Sequence, residues 1–393
     1  MIKKPDGITD RRNGLRNRSR LMLFVFSSLL LALGSLLLAQ SSEAKVSGNC
    51  SDCHTMHNSQ NGQPMQLPGE TDTSPKAFLL RGTCLGCHGQ GTSGNIVNSI
   101  PQVLHTNSTD LAGGNFAYIT GTGSKSRTGS DQNTAGHNVV DLGSSFKDTV
   151  LHSPPGDQYL TGITNDNLTC AGIYGCHGDR TVTGELPGIK GAHHADDVVL
   201  KFGSISEGSQ GGTIGLSYRF LKGVKGGEDA DWQGVNPSAT VHNEYKGVDP
   251  GVEGGDDHTP GGGTISGLCS ECHGHFHGGS ADIGGPTGTP WLRHPTDIVL
   301  PDTTGTEYLL YNGGTGSNNP YSLTVPVARG SLPGSPGAVA KPGSSGPDGA
   351  IIMCLSCHRA HASPYFKMMR WDYRGLPASR GTNGCNVCHT SKI

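Results

Sequence analysis

Aromatic side chains make up only 6% of this chain and hydrophobic residues only 33%, while 62 of its 393 residues are glycine. A chain of this length ordinarily folds around a large apolar core, and this one lacks the side chains to build it. Amphipathic helical windows are scarce, and no fixed period recurs, which excludes a repeat solenoid. There is no excess of positive charge: 29 Lys and Arg stand against 32 Asp and Glu, for a formal net charge of −3, which argues against nucleic acid as a partner. Methionine is nearly missing from the middle of the chain, with Met56 and Met65 alone between residues 45 and 350. No cysteine is left over once the twelve are sorted into pairs.

Each of those six pairs runs straight into a histidine. Five are regular C-x-x-C-H elements: Cys50-Ser-Asp-Cys53-His54, Cys84-Leu-Gly-Cys87-His88, Cys269-Ser-Glu-Cys272-His273, Cys354-Leu-Ser-Cys357-His358 and Cys385-Asn-Val-Cys388-His389. The third in chain order is stretched, Cys170-Ala-Gly-Ile-Tyr-Gly-Cys176-His177. On a helical turn, residues i and i+3 share a face, so both sulfurs reach one edge of a porphyrin while the histidine at i+4 projects over the ring. This is the attachment sequence of c-type haem, with two thioethers and an adjacent axial imidazole. Zinc also uses paired cysteines but needs no histidine after each second one. With 18 histidines in the chain, six such adjacencies by chance have a probability on the order of 10⁻⁸. Cysteines three apart bridge poorly, and a redox C-x-x-C needs no histidine. Six haem c are therefore expected, with iron held proximally by His54, His88, His177, His273, His358 and His389. At the stretched site the alternatives are a single thioether at Cys176 or a local disulfide. Six porphyrins supply the apolar mass that the side chains do not, so the cofactors are expected to be the core.

Residues 1–20 hold seven Lys or Arg against two Asp, and an apolar stretch of nineteen residues, 21–39, follows. Ser42-Glu43-Ala44 offers small residues for cleavage before Lys45, so residues 1–44 are expected to be a signal peptide. Retention as a membrane anchor is the alternative, given the length of the apolar stretch. Arg11-Arg12 lacks the context of a twin-arginine signal, and Cys50 has no lipobox before it.

The proximal histidines are 34, 89, 96, 85 and 31 residues apart, so sites one and two form a close pair, as do five and six. Residues 45–393 are expected to form one elongated hexahaem domain, mostly irregular coil with short helices and few strands, wrapped around a haem stack. Helical turns are expected at the attachment sites and near Phe366–Tyr373, and strands near Ser217–Leu221 and Tyr308–Tyr311. The Gly/Pro/Ser tracts at 250–264 and 329–348 read as loops, linkers or separators between haem clusters. Gly121-Thr-Gly-Ser-Lys125-Ser126 misses the spacing of a phosphate loop.

The histidines beyond the six proximal ones decide the kind of cytochrome. Methionine is too rare to serve most distal positions. Bis-histidine ligation is then the default, which closes both axial positions of each iron and favours a conductor over a catalyst. No attachment site ends in lysine, the usual sign of a multihaem nitrite-reducing centre. His57 and His361 each lie three residues beyond a proximal ligand and cannot fold back onto the same haem, so each is placed to ligate an adjacent one. His105, His137 and His294 sit beside apolar residues, as distal ligands approaching a buried ring should. His193-His194 supplies one ligand, assigned to His194 and to the third site. His242 and His277 stand in reserve, whereas His152, His258 and His275 read as surface residues.

Cys50-Ser-Asp-Cys-His-Thr-Met-His-Asn-Ser59, Cys84–His88, Gly136-His-Asn-Val139, Leu292-Arg-His-Pro295, Cys354-Leu-Ser-Cys-His-Arg-Ala-His-Ala-Ser363 and Cys385–His389 occur in one order. In this the chain resembles the OmcS-type outer-surface hexahaem cytochromes of metal-respiring bacteria, over most of the residues after 44. The resemblance implies a coil-rich fold, a continuous stack of bis-His haems, and end-to-end polymerisation in which His57 ligates a haem of the next subunit. The long loop of the third site departs from the family pattern. The function expected is extracellular respiratory electron transfer, with other redox proteins, further copies of the chain and an insoluble metal or other extracellular acceptor as partners. A periplasmic carrier, or an oxidoreductase acting on nitrogen or sulfur oxyanions, is the alternative.

Overall fold

A computed structural model describes residues 48–65, 73–91, 93–125, 134–156, 161–194, 200–247, 262–274, 294, 296–315, 319–372 and 384–391. The signal segment, His258, His275, His277 and most of the 250–264 tract lie outside the described residues. The chain is mostly coil. Its strands are two residues long and pair only locally or in isolated ladders: Ser59–Gln60 with Gln63–Pro64, Ile96–Val97 with Ile100–Pro101, Gly226–Gly227 with Glu244–Tyr245, and Ile298–Val299 with Ile351–Ile352, all antiparallel. Among the described residues, α-helices are single turns at Leu85–His88, Ala117–Thr120, Glu185–Gly188, Cys354–Cys357 and Cys385–Cys388, and two and a half turns at Ile265–His273. Among the described residues, no helix is long and apolar enough to cross a membrane.

Apolar side chains gather in three small clusters, and two of them include attachment cysteines. Leu85, Leu104, Phe116, Ile119 and Leu142 pack with Cys170. Leu300, Tyr311, Tyr321, Ile352 and Trp371 pack with Cys357, Cys385 and Cys388. A third cluster joins Tyr218, Leu221, Tyr245, Ile265, Ile351 and Met353.

Two expectations about local structure are corrected. Tyr218–Phe220 and Glu307–Gly313 form 3-10 turns, not strands. At the first, the Arg219 backbone is left-handed at φ 47°, and its amide donates to the Glu228 carboxylate at 2.6 Å, a local bond that competes with any ladder. The 329–348 tract forms a loop, one of the readings of its composition, and it is anchored and not a free linker. Its first residue, Arg329, is fully buried and donates through Nε to Glu244 Oε2 at 2.7 Å and through Nη2 to Oε1 at 3.1 Å. The guanidinium also reaches the Val339, Gly349 and Gly337 carbonyls at 2.8, 2.7 and 3.1 Å, so one side chain gathers the whole tract around itself. Helix-period and strand-period patterns carry no signal for such a point of attachment.

Burial opposes the charge of Glu244, but hydrogen bonds from His242 and the Arg329 guanidinium outweigh it and hold the carboxyl below its usual range. Removing the cation leaves a buried, unpaired carboxylate. Arg329→Ala is therefore expected to cost about 3–5 kcal/mol of stability near neutral pH, read by chemical denaturation. Because the folded carboxyl titrates below its ordinary value of 4.5, the pair stabilises fully above that pH. Its contribution fades as the pH falls further, so the deficit of the variant should shrink in acid.

Candidate haem-attachment sites and facing histidines

At four of the regular elements the carbonyl of the first cysteine accepts from the histidine amide. The distances are 2.8 Å for Cys50–His54, 2.9 Å for Cys84–His88, 3.0 Å for Cys354–His358 and 2.8 Å for Cys385–His389. The fifth, Cys269–His273, closes the helix Ile265–His273, whose start is capped by Thr264 accepting from the Gly267 amide at 2.9 Å. The stretched element closes in the same way. The Cys170 carbonyl accepts from both Cys176 at 3.2 Å and His177 at 3.0 Å, while the intervening residues loop outward around Gly172 at φ 79°. The extra residues leave the His177 amide on the Cys170 carbonyl, the bond made at the four regular elements above.

Histidines from distant parts of the chain face these elements. Two metal–imidazole bonds of about 2 Å each, with the half-widths of two rings, set ring centres about 6 Å apart across one iron. The structure brings His54 to 5.9 Å from His193, His88 to 6.0 Å from His194, and His273 to 6.1 Å from His137. It brings His177 to 6.2 Å from His361 and His389 to 6.1 Å from His294. Five attachment histidines are thus each faced by one further imidazole at the spacing of a bis-His haem, and the donor set fits the group.

Six outer nitrogens are held as axial ligands need, while the buried Nδ1 of His361 has no hydrogen-bond partner among the described residues. Nδ1 faces a carbonyl oxygen at His88 (Pro101, 2.8 Å), His137 (Ala360, 2.7 Å), His177 (Arg219, 2.9 Å), His273 (Pro155, 2.8 Å) and His358 (Lys367, 2.9 Å). At His389 it faces Glu307 Oε1 at 3.0 Å. An acceptor there places the proton on Nδ1 and leaves the Nε2 lone pair for a metal. Burial lowers the pKa of His137 and His177, takes His194 down to about 4 and His361 to about 3, so these rings are neutral, as ligation requires.

Several placements differ from those expected. His193 and His194 serve two elements, the first and second, where one ligand for the third had been assigned. The third element is faced by His361. His105 meets no attachment histidine; it is fully buried, its Nδ1 accepts from the Asn107 amide at 3.1 Å, and its Nε2 lies 4.0 Å from Asp110. Apolar neighbours surround a core histidine and a ligand alike, so sequence context did not separate the two. The reserve His242 stacks on Tyr321 at 3.8 Å and bonds to Glu244 at 3.1 Å. Among the described residues no histidine ring faces His358. His57 sits in the left-handed region at φ 54°, with Nδ1 2.8 Å from the Lys76 carbonyl and, among the described residues, no facing ring.

Sulfurs of successive elements also approach one another. Cys53 lies within hydrogen-bond range of Cys87, Cys84 of Cys170, and Cys269 of Cys354. Cys176 neighbours Cys269, and Cys357 neighbours Cys385. The six elements therefore follow each other in space in chain order. Between the third and fourth, Arg180 grips Glu271 through Nε and Nη2, both at 2.6 Å.

Cysteine pairs closing onto histidine, and imidazoles facing one another across the width of an iron, define a multihaem c-type cytochrome that works in electron transfer. Residues 348–393 match the doubled CXXCH motif family. The chain is 25% identical over 400 residues to "C-type cytochrome OmcS" of Geobacter sulfurreducens, covering 88% of this chain and 84% of that protein. Among solved structures it is similar to "Outer Membrane Cytochrome S Filament from Geobacter Sulfurreducens", at 21% identity and a TM-score of 0.42 over 84% of each chain. It is similar as well to "Cryo-EM of the OmcS nanowires from Geobacter sulfurreducens", at 20% identity and 0.42, covering 82% of this chain and 83% of that one.

One backbone contact positions two of the facing rings. Gly136 and His137 run against His361 and Ala362, with the His137 amide donating to the His361 carbonyl at 3.0 Å. A Cβ on Gly136 would lie 2.3 Å from that carbonyl oxygen. Gly136→Ala is expected to cost about 1–3 kcal/mol through overpacking. It should also displace His137 and His361, giving a high-spin ferric signal in electron paramagnetic resonance of the haem-loaded protein at unchanged haem mass.

Proposed function

We propose that this chain conducts electrons outside the cell, through six bis-His haem c groups in a chain of sites running from the first element to the sixth. The observation that carries this reading is the set of five facing histidine pairs at 5.9–6.2 Å. A haem iron cycles between ferric and ferrous states and so holds and passes one electron at each site. The thiols Cys50, Cys53, Cys84, Cys87, Cys170, Cys176, Cys269, Cys272, Cys354, Cys357, Cys385 and Cys388 anchor the groups. Where two imidazoles would hold one iron, no position would be left for substrate, as befits a carrier and not an enzyme. Residues 1–44 direct export and residues 45–393 form the hexahaem domain.

Assembly into a polymer follows from the two unmatched imidazoles. His358 is prepared on its outer nitrogen by Lys367, and His57 likewise by Lys76, at 2.9 and 2.8 Å. Among the described residues neither has a facing ring, and each would complete the other between copies. Met56, Phe78 and Leu79, beside His57 in sequence or flanking Lys76, are exposed at 72%, 41% and 47%, which is apolar surface of the kind an interface covers. Electrons would enter from another redox protein and leave to an insoluble metal or other extracellular acceptor.

His57→Ala is expected to abolish polymers in electron micrographs while six haems per chain remain by mass. Unchanged filaments overturn the cross-chain ligation. A second outcome is spectroscopic: isolated monomer should show one high-spin ferric haem per chain, at site five, that becomes low-spin on assembly. Monomer that is fully low-spin overturns the assignment of His358 as the open site.

A further inference from the structure

Where the second and third attachment elements meet, two acidic side chains lie against the sulfurs. Glu185 Oε1 accepts from the Cys170 amide at 2.7 Å and lies 3.9 Å from Cys84 Sγ. Asp141 Oδ2 lies 3.8 Å from Cys170 Sγ. The two carboxyl groups are within hydrogen-bond range of each other. Cys84 and Cys170 face them, with no titratable proton once joined to haem, and among the described residues neither acid has a Lys, Arg or His partner. Two carboxyl groups in contact without a cation cannot both ionise comfortably, so they share a proton. Ligand atoms of Cys84, Cys170 and Glu185 lie close enough to hold a metal ion, but both cysteines are committed to haem attachment. Metal binding is therefore the weaker reading.

We propose that Asp141 and Glu185 form a proton-exchange site that couples protonation to the passage of electrons between the second and third haem sites. This rests on the reading that both sites carry haem. The pair takes one proton from water as one electron arrives at site two or three from the neighbouring site. It returns that proton to water as the electron moves on. The ionised pair favours the ferric state beside it and the half-neutralised pair favours the ferrous state, so proton affinity and reduction potential are reciprocally linked. Burial and the neighbouring Glu185 raise the Asp141 carboxyl to about 7, which puts the exchange in the physiological range.

The test is a spectroelectrochemical titration of the full haem-loaded protein from about pH 5 to about pH 9, for the parent, Asp141→Asn and Glu185→Gln. Glutamine retains the oxygen that accepts from the Cys170 amide, so the second variant keeps the local backbone if the first fails to mature. In the parent, one component should fall by as much as 59 mV for each tenfold drop in proton concentration. The variants should lose that component, and with it the protonated-carboxyl band in reduced-minus-oxidised infrared spectra. A parent without such a slope, or variants with full haem mass that keep both slope and band, overturn the proton site. Haem mass below six in the parent instead overturns the functional reading on which it rests.

Discussion

The constraint on which the rest depends is the span between two imidazoles that share one iron. A coil with few strands and single-turn helices has little intrinsic rigidity, and hydrophobic burial in three small clusters does not by itself set distances to a fraction of an ångström. An axial pair does. Each facing pair ties a short local motif to a residue far away in the chain, closing loops that a polypeptide of this composition could not otherwise hold. With iron bound as proposed, metal ligation and folding would be one process, since the ligands must be neutral and brought together for the coordination energy to be gained.

The second layer of the design lies in the polar contacts that aim the ligands. Carbonyl oxygens at Pro101, Ala360, Arg219, Pro155 and Lys367 hold the outer nitrogens, and the backbone crossing of Gly136 with Ala362 positions two rings at once. The buried Arg329–Glu244 pair and the Arg180–Glu271 fork do the equivalent work for whole segments, the latter at the joint between the third and fourth sites. In a protein with little regular secondary structure, irregular backbone is held by side chains that reach several carbonyls, and charged residues do this best.

The attachment elements were fully legible, because the chemistry that defines them spans five residues and demands particular residue types. His57, His137, His294 and His361 were picked out by short context, and His137, His294 and His361 take up facing positions. His105 and His193 show where that reasoning stops. Val103-Leu-His105 carries the same apolar signature as a ligand but encloses a histidine bonded to Asn107, while His193 had nothing local to separate it from its neighbour. The 329–348 tract reads as a loop or a linker and forms an anchored loop; the anchoring was not legible because it comes from Arg329, one residue in a Gly/Pro/Ser background.

The sequence by itself determined the cofactor, the number of attachment elements and the coil-rich class, since covalent spacing and composition are local or global sums that need no coordinates. Which histidine faces which element, how the stretched third site keeps its histidine amide on the first cysteine carbonyl, and that no described ring faces His57 or His358, were decided only by the tertiary structure. The physical reason is that axial pairing is a contact between residues remote along the chain, and composition does not encode remote contacts one by one. Adjacency of the Asp141–Glu185 pair to two sets of haem sulfurs belongs to the same class of fact.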